Sequence, residues 1–427
     1  MYTASPPSPL GRLMQTALTS LATLLLIALT AFSCSSKPAE AQIQARIQSV
    51  EHGLVAVRSL ADAFQTDSTR LQEKLALREQ MEQLGVPGVS IAVINDSRIE
   101  WSKGYGVLRN DAPDTVTTET LFEAASVTKQ LTAVMALQAV DQDLLRLDGA
   151  VNEQLQSWQI PDNEYTQQQP VTLYQLLTHQ GGISRPDGGF GYPDETPPSL
   201  LQVLNGESPA ENGPAVVEFV PSSQWQYSNL GFVVIQQLLE DSYQQPYAQL
   251  IRQQLFEPLG MRSSMVMPSR PAELGLPFAS PHDGEGTAHD HSLHETALAH
   301  GALITTPSDL ARFTIEIMHS WQGRSRRILS QGMAQDMLDP KCPVDVFGIN
   351  GQGLGFFLIS DEHTRYFVAM GSNWPGTFCA VVANPESGHG AVIMSNAQLG
   401  AYLAMELLAA LALEYDWPTV TSAAAPG

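Results

Sequence analysis

Apolar residues recur along this chain at two different periods, strand-like near its ends and helix-like through its middle. Ile43, Ile47, Val50, Leu54 and Val57 repeat at helical spacing. A second helical stretch carries Leu71, Leu75, Leu77, Met81 and Leu84 before Gly85, Pro87 and Gly88 stop it. Val89–Ile94 and Ile99–Val107 are β-rich runs around the turn residues Asn95-Asp96-Ser97, which predicts a hairpin. From Thr118 to Leu147 the pattern is helical again, with Leu131, Val134, Leu137 and Val140 along it. Residues 148–345 hold several helical stretches cut by loops, the longest being Gly181–Pro198 and Pro268–His294. Gly353–Ile359, Arg365–Met370, Thr377–Val382 and Gly390–Ser395 then read as four short strands, and a last helix runs from Leu399 to Tyr415.

If early and late strands share one antiparallel sheet, the segment between them is an insertion. The fold class expected is therefore α+β: an antiparallel β-sheet flanked by helices, with an inserted mostly helical lobe over residues 148–345. A cleft between sheet and lobe is a natural ligand site. No internal repeat at solenoid period is present.

The first forty residues have a different character. After Arg12, the only basic residue of the leader, Leu21–Phe32 form an apolar run too short for a stable membrane span but suited to a secretory signal. Ala31-Phe32-Ser33-Cys34 follows the pattern of a bacterial lipoprotein signal, with Ala31 where Leu is usual. We expect residues 1–33 to be a signal peptide and Cys34 to be lipidated, leaving the protein exported and membrane-anchored in the bacterial periplasm or cell envelope. An ordinary signal peptide, giving a soluble secreted protein, is the alternative. Residues 34–70 read as linker and extra helix, 71–417 as one domain, and 418–427 as a frayed tail.

The formal net charge of −22 makes the surface repel phosphate backbones, so no nucleic-acid partner is expected. Beyond Cys34 only Cys342 and Cys379 remain, which leaves open one disulfide or two separate thiols.

Three short motifs carry chemistry. Ser126-Val127-Thr128-Lys129 opens an apolar helix, and residues three apart on a helix share a face, so hydroxyl and ammonium lie side by side. A serine hydroxyl is a weak nucleophile until a neighbouring base takes its proton. The chain has five lysines, and only Lys129 has a serine three residues before it. Tyr227-Ser228-Asn229 is the only Y-x-N and sits in a loop before the helical run Phe232–Leu239. A phenol beside an ammonium ionises more readily, so Tyr227 is placed to take a proton from Ser126 and return it to a leaving group. Lastly, Arg365–Met370 leads into Gly371-Ser372-Asn373-Trp374-Pro375-Gly376. A strand edge there would offer a backbone N–H to an oxyanion, with Gly371 allowing close approach.

S-x-x-K, then Y-x-N, then a Gly-ended strand motif, in this order, resembles the serine β-lactamase and penicillin-binding-protein superfamily, which includes the class C β-lactamases and D-alanyl-D-alanine carboxypeptidases. Val86–Val93, Thr172–His179, Glu257–Met261 and Thr305–Phe313 agree, so the likeness runs from Leu71 to Tyr415. The resemblance implies a serine hydrolase in which Ser126 forms an acyl-enzyme and Lys129 and Tyr227 share general-base and general-acid work. It implies that Asn229 bonds the substrate amide or Lys129, and that the N–H groups of Ser126 and Ser372 hold the oxyanion. It implies no cofactor and no metal, and a small-molecule ester or amide substrate, with peptidoglycan-derived molecules among the candidates.

One position departs from the pattern. The third motif usually begins with Lys or His two residues before its Gly, and here that residue is Ala369. A cation there is the obvious partner for a substrate carboxylate. Its loss points to esters or amides lacking that carboxylate and makes efficient β-lactam hydrolysis a weaker expectation. The alternative is a catalytically impaired cell-envelope binding protein that keeps the fold. Arg365, near a turn, is expected to face solvent. His179 and His300 read as loop braces, and His282, His289, His291 and His294 as a solvated loop, since their spacing fits no metal pattern. Glu123 reads as an acid just before the helix, and no role is assigned to Glu295.

Overall fold

β1 (Gly88–Asn95) and β2 (Arg98–Gly106) form the expected hairpin, turning through Asp96 and Ser97 at φ of 51° and 54°. Short polar side chains tolerate that left-handed conformation in a tight turn. The computed structural model describes residues 40–57, 59–64, 74–185, 197–266, 275–289 and 296–420. The leader with Cys34, and Leu71, His291, His294 and Glu295, lie outside the described residues. The chain divides into Met1–Glu51, whose described part is a helix over 40–51, and His52–Gly427, which contains everything that follows.

β3 (Phe122–Glu123), β4 (Met265–Val266) and β5 (Leu303–Thr305) make a small sheet of their own. β6 (Cys342–Val346), β7 (Ile349–Gln352), β8 (Phe357–Ser360), β9 (Arg365–Asn373), β10 (Thr377–Ala383) and β11 (Gly390–Ser395) join the hairpin in one antiparallel sheet, ordered β2-β1-β11-β10-β9-β8-β7-β6. Early and late strands thus pair directly, Ile91 opposite Ile393, and the chain between them is an insertion.

Four helices of the main unit are long: α1 (Thr128–Asp141), α2 (Asn229–Tyr243), α3 (Pro307–Trp321) and α4 (Gly400–Glu414). β1, β10 and β11 are buried almost without a break, as strands covered on both faces are. α3 packs against β1, β2 and β11, and α4 against β10 and β11. α1 is buried nearly all round, in the core it shares with α2, and a helix without a wet face needs no amphipathic stripe.

Several expectations need correcting. The helix begins at Thr128 and not Thr118, because Phe122–Glu123 pair with β5 and Ala125 takes φ 48°, which no right-handed helix contains. β6 falls largely in the stretch assigned to the helical lobe, and β7 follows just beyond it where no strand was expected. Their Pro343, Asp345, Asn350 and Gly351 hide the strand period. Residues 353–355 are not strand: Gly355 sits at φ 83°, where a side chain would strike Ala133 of α1. Leu54–Phe64 belong to the main unit, with Leu54 bridging Leu75 and the Phe64 ring stacked 4.4 Å from Tyr366. Pro418–Val420 are not a frayed tail, since Tyr366 Oη donates to Pro418 O and Val420 N–H to Phe64 O. Both cysteines are free. They lie four strands apart on β6 and β10, roughly 19 Å at about 4.8 Å per strand, beyond disulfide reach.

Glu406 of α4 is buried, and its one neighbour by hydrogen bond is Gln80, whose Nε2 donates to Oε1 at 2.9 Å. Its Oε2 and Gln80 Oε1 have no partner, so a proton on Glu406 supplies a missing donor. Burial pushes this carboxyl up from 4.5 to about 7, against the opposing hydrogen bond from Gln80. The folded state therefore holds a proton that the unfolded chain releases. The stabilisation is fully present below 4.5 and is lost as pH rises through about 7. Urea denaturation of the wild type should show a loss of up to about 3 kcal/mol between pH 5 and pH 8. Glu406→Gln should flatten that dependence and be the more stable protein at pH 8. Parallel pH dependences for the two would refute the assignment.

Candidate active site

The serine sits on a strained turn. A 3-10 turn, Ala125–Val127, leads into α1, and Ala125 at φ 48° holds a conformation costing an L-residue about 1 kcal/mol or more. Thr128 locks the turn from both sides: its Oγ1 donates to Ala125 O at 2.7 Å and accepts Leu303 N–H of β5 at 3.0 Å. Ser126 is left partly exposed between buried neighbours.

Ser126 Oγ accepts two hydrogen bonds, from Lys129 Nζ at 3.2 Å and from Tyr227 Oη at 3.0 Å. Lys129 is 2% exposed, and its Nζ also donates to His300 O at 2.6 Å and lies 5.0 Å from the centre of the Tyr227 ring. The His300 carbonyl is itself held in place. Ala299 N–H donates to Gln236 Oε1 at 3.0 Å, and Thr132 Oγ1 donates to Ala299 O at 2.8 Å. Lys129 is thus buried among fixed acceptors, which a buried ammonium requires.

Tyr227 ends the loop before α2. His179 packs beneath it, with ring centroids 4.4 Å apart. His179 Nδ1 accepts Ser228 N–H at 3.2 Å, and its carbonyl accepts Gln226 N–H at 2.8 Å. Burial, and then the Lys129 charge, push this imidazole down to about 3, so it is neutral at physiological pH. It braces the tyrosine loop. Ser228, not Asn229, caps α2, accepting Gly231 N–H at 3.0 Å. Asn229 Oδ1 is buried with no partner, so of the two bonds expected of Asn229, to the substrate amide or to Lys129, the second is not made through that oxygen.

β9 closes the arrangement. A Cβ on Gly371 would lie 2.2 Å from Ala124 O and 2.7 Å from Ser126 N, so the strand touches the nucleophile's turn. Asn373 N–H donates towards β10, to Thr377 Oγ1 at 3.3 Å. Backbone groups alternate along a strand, so Ser372 N–H faces the other edge. There β8 pairs only with Arg365–Val368, so no strand pairs with that edge from Ala369 onward, and Ser372 is exposed. Asn373 Nδ2 donates to Glu123 Oε2 at 2.9 Å, which gives the buried Glu123 a structural role tying β3 to the third motif.

Ala369 is buried opposite Val381 and supplies no charge. Arg365 does not replace the missing cation. It lies four residues away, about 14 Å along the strand, and its guanidinium approaches Asp339 at 3.7 Å with 28% of the side chain exposed. His282 is not in a solvated loop. It is fully buried, its Nδ1 2.9 Å from Asn396 O and its Nε2 3.3 Å from Asn110 N–H. His289 pairs with Asp283 at 2.7 Å. Among the described residues no group of three or more His, Cys, Asp or Glu is placed to hold a metal ion.

The sequence motifs therefore meet: Ser126, Lys129 and Tyr227 at bonding distance, and Gly371 against the Ser126 turn. His300 O, Gln236 and Thr132 were not singled out for this role, because a backbone carbonyl and its supports leave no motif.

An antiparallel sheet with an inserted helical lobe, and a Ser-Lys-Tyr cluster where they join, define the β-lactamase/transpeptidase class of fold. The chain belongs to the Beta-lactamase family, whose profile matches residues 74–414. It is 30% identical over 258 residues to penicillin-binding protein 4 of Amycolatopsis lactamdurans, covering 58% of this chain and 63% of that one. It is 27% identical over 239 residues to the D-alanyl-D-alanine-carboxypeptidase/endopeptidase AmpH of Escherichia coli K12, covering 55% and 58%. The chain thus spans less than two thirds of the length of these curated relatives. Its fold superposes on the octameric penicillin-binding protein homologue from Pyrococcus abyssi with a TM-score of 0.63 and 25% identity, over 79% of this chain and 75% of that one.

Gly371→Ala tests the contact between strand and turn. The added methyl group meets backbone, which cannot swing away, so β9 must retreat from Ser126. Labelling of Ser126 by a fluorophosphonate should slow by roughly a hundredfold, with stability falling by about 1–3 kcal/mol. Labelling at the wild-type rate would show that the approach of β9 is immaterial.

Proposed function

We propose that this protein is a serine hydrolase cleaving an ester or amide through an acyl-Ser126 intermediate. One observation carries the reading: Ser126 Oγ lies within 3.2 Å of Lys129 Nζ and 3.0 Å of Tyr227 Oη on a turn pressed against an open strand edge. The Ser126 proton passes to this Lys129–Tyr227 pair as Oγ adds to the substrate carbonyl, and Tyr227 returns a proton to the leaving group. The N–H groups of Ser126 and Ser372 receive the developing oxyanion. Asn229 Oδ1, buried and unpartnered, accepts from the substrate amide. Water then attacks the acyl-enzyme with the same pair acting in reverse.

Ala369 sets the substrate class. With no charge at that position and Arg365 turned to Asp339, an ester or neutral amide suits the cleft better than a carboxylate-bearing β-lactam. The names of the relatives, a penicillin-binding protein and a D-alanyl-D-alanine carboxypeptidase/endopeptidase, support amide chemistry. Export and lipidation at Cys34 are part of the same proposal and rest on the apolar run Leu21–Phe32. No helix among the described residues is long and apolar enough to cross a membrane.

Intact-mass spectrometry after exposure to a fluorophosphonate, and separately to a penicillin, tests the chemistry. A phosphonate adduct at Ser126, absent in Ser126→Ala, is the expected result, with slow or no penicillin acylation. Turnover of an ester should fall at least about a thousandfold in Ser126→Ala. No adduct with either reagent would favour a non-catalytic envelope protein that binds ligand in this cleft. In cells, Cys34→Ser should release the protein from the membrane fraction; unchanged membrane retention would refute the anchor.

A further inference from the structure

Trp374 is 72% exposed, and it follows the oxyanion strand directly. A lone exposed aromatic is ordinary in itself. Phe347 is as exposed at 73%, on the β6–β7 turn at the far edge of the sheet. Trp374 differs in two respects. It lies two residues past Ser372, at most about 7 Å along the chain, so it stands beside the place where a substrate carbonyl would dock.

Its support is also unusually firm. Asn373 is tied by its side chain to Glu123 and by its N–H to Thr377 Oγ1. Gly376 O accepts His282 N–H at 3.2 Å, and Gly376 lies so close to His282 O that a Cβ has no room. The His289 ring packs 5.8 Å from the indole, and His289 is in turn fixed by Asp283 at 2.7 Å. Asp283 Oδ1 accepts the N–H groups of Glu285 and Thr287, so the supporting loop is closed on itself. A large apolar face is thus held in water by a frame already ordered. Binding on such a face loses little further entropy. The neutral Ala369 leaves apolar contact, and not charge, to select the substrate at this strand.

We propose that Trp374 forms a specificity subsite for a planar apolar group, aryl above all, carried on the acyl side of the substrate. This rests on the serine-hydrolase reading for its reaction, though not for its binding. With the carbonyl oxygen at Ser372 N–H, a ring one or two bonds beyond the carbonyl carbon reaches the indole. Offset stacking there favours both the bound substrate and its acylation.

The test compares kcat/KM for 4-nitrophenyl phenylacetate and 4-nitrophenyl acetate, which share a leaving group. The wild type should prefer the phenylacetyl ester, and Trp374→Ala should lower that preference at least fivefold, with Trp374→Phe restoring most of it. An unchanged ratio in a folded Trp374→Ala protein overturns the subsite and leaves the hydrolase intact. Trp374→Gln, a polar replacement for an exposed position, serves if the alanine variant does not fold. If the wild type cleaves neither ester, the hydrolase reading fails instead. The subsite is then read by tryptophan fluorescence titrated with phenylacetamide. A saturable change that disappears in Trp374→Gln supports it, and the absence of a saturable change in the wild type overturns it.

Discussion

Gly371 meets the turn at Ala124–Ser126 where the sheet packs on the chain inserted between its strands, within one shared core. On one side lies the sheet, built from both ends of the chain; on the other lies α1, buried in the inserted lobe. The turn is bent by Ala125 at φ 48° and clamped by Thr128 to β5, so it cannot follow if β9 moves. A missing side chain at position 371 is therefore as much a requirement of the site as the serine itself. Sub-ångström placement of a nucleophile against its oxyanion donors governs rates steeply, and here that placement depends on steric fit between backbones.

The reacting groups lie on the border between dry and wet surroundings. Lys129 is buried and held by the His300 carbonyl, whose position depends on Gln236 and Thr132. Tyr227 is braced by a neutral His179 that cannot compete for the serine proton. Ser126 and Tyr227 are each only partly buried, whereas Lys129 and His179 are buried. A buried cation with fixed acceptors and a phenol on a rigid loop are polar groups oriented before any substrate arrives, which is the condition for electrostatic stabilisation without reorganisation.

The convergence of the candidate site's residues was legible in the sequence, because helical spacing brings Ser126 and Lys129 together and Y-x-N is unique in the chain. The sheet was most legible in its central strands, although the edge strand β2 was also expected, through its hairpin with β1. β1, β10 and β11 are largely apolar runs, whereas the edge strand β6 and its neighbour β7 carry Pro343, Asp345 and Gly351 and lose the alternating signal. The helix start was misplaced by ten residues, since nothing local marks Ala125 as a residue with positive φ; tertiary contacts with β5 and β9 impose it. The buried His282 looked like part of a polar loop for a similar reason. Its burial comes from Asn396 and Asn110, more than a hundred residues away on either side.

Ala369 gives the site its individual character. On β9 it shares a face with Gly371, directed towards the nucleophile's turn, and it is 1% exposed. Four residues further on the same strand ends at Asn373, whose side chain donates to the Glu123 carboxylate, and the next residue is Trp374. Along this edge Ala369 and Trp374 offer apolar side chains and Ser372 a backbone N–H. A substrate carboxylate laid against Ala369 would lose water with no charge from that residue in return, which is why the proposed hydrolase reading favours neutral acyl groups.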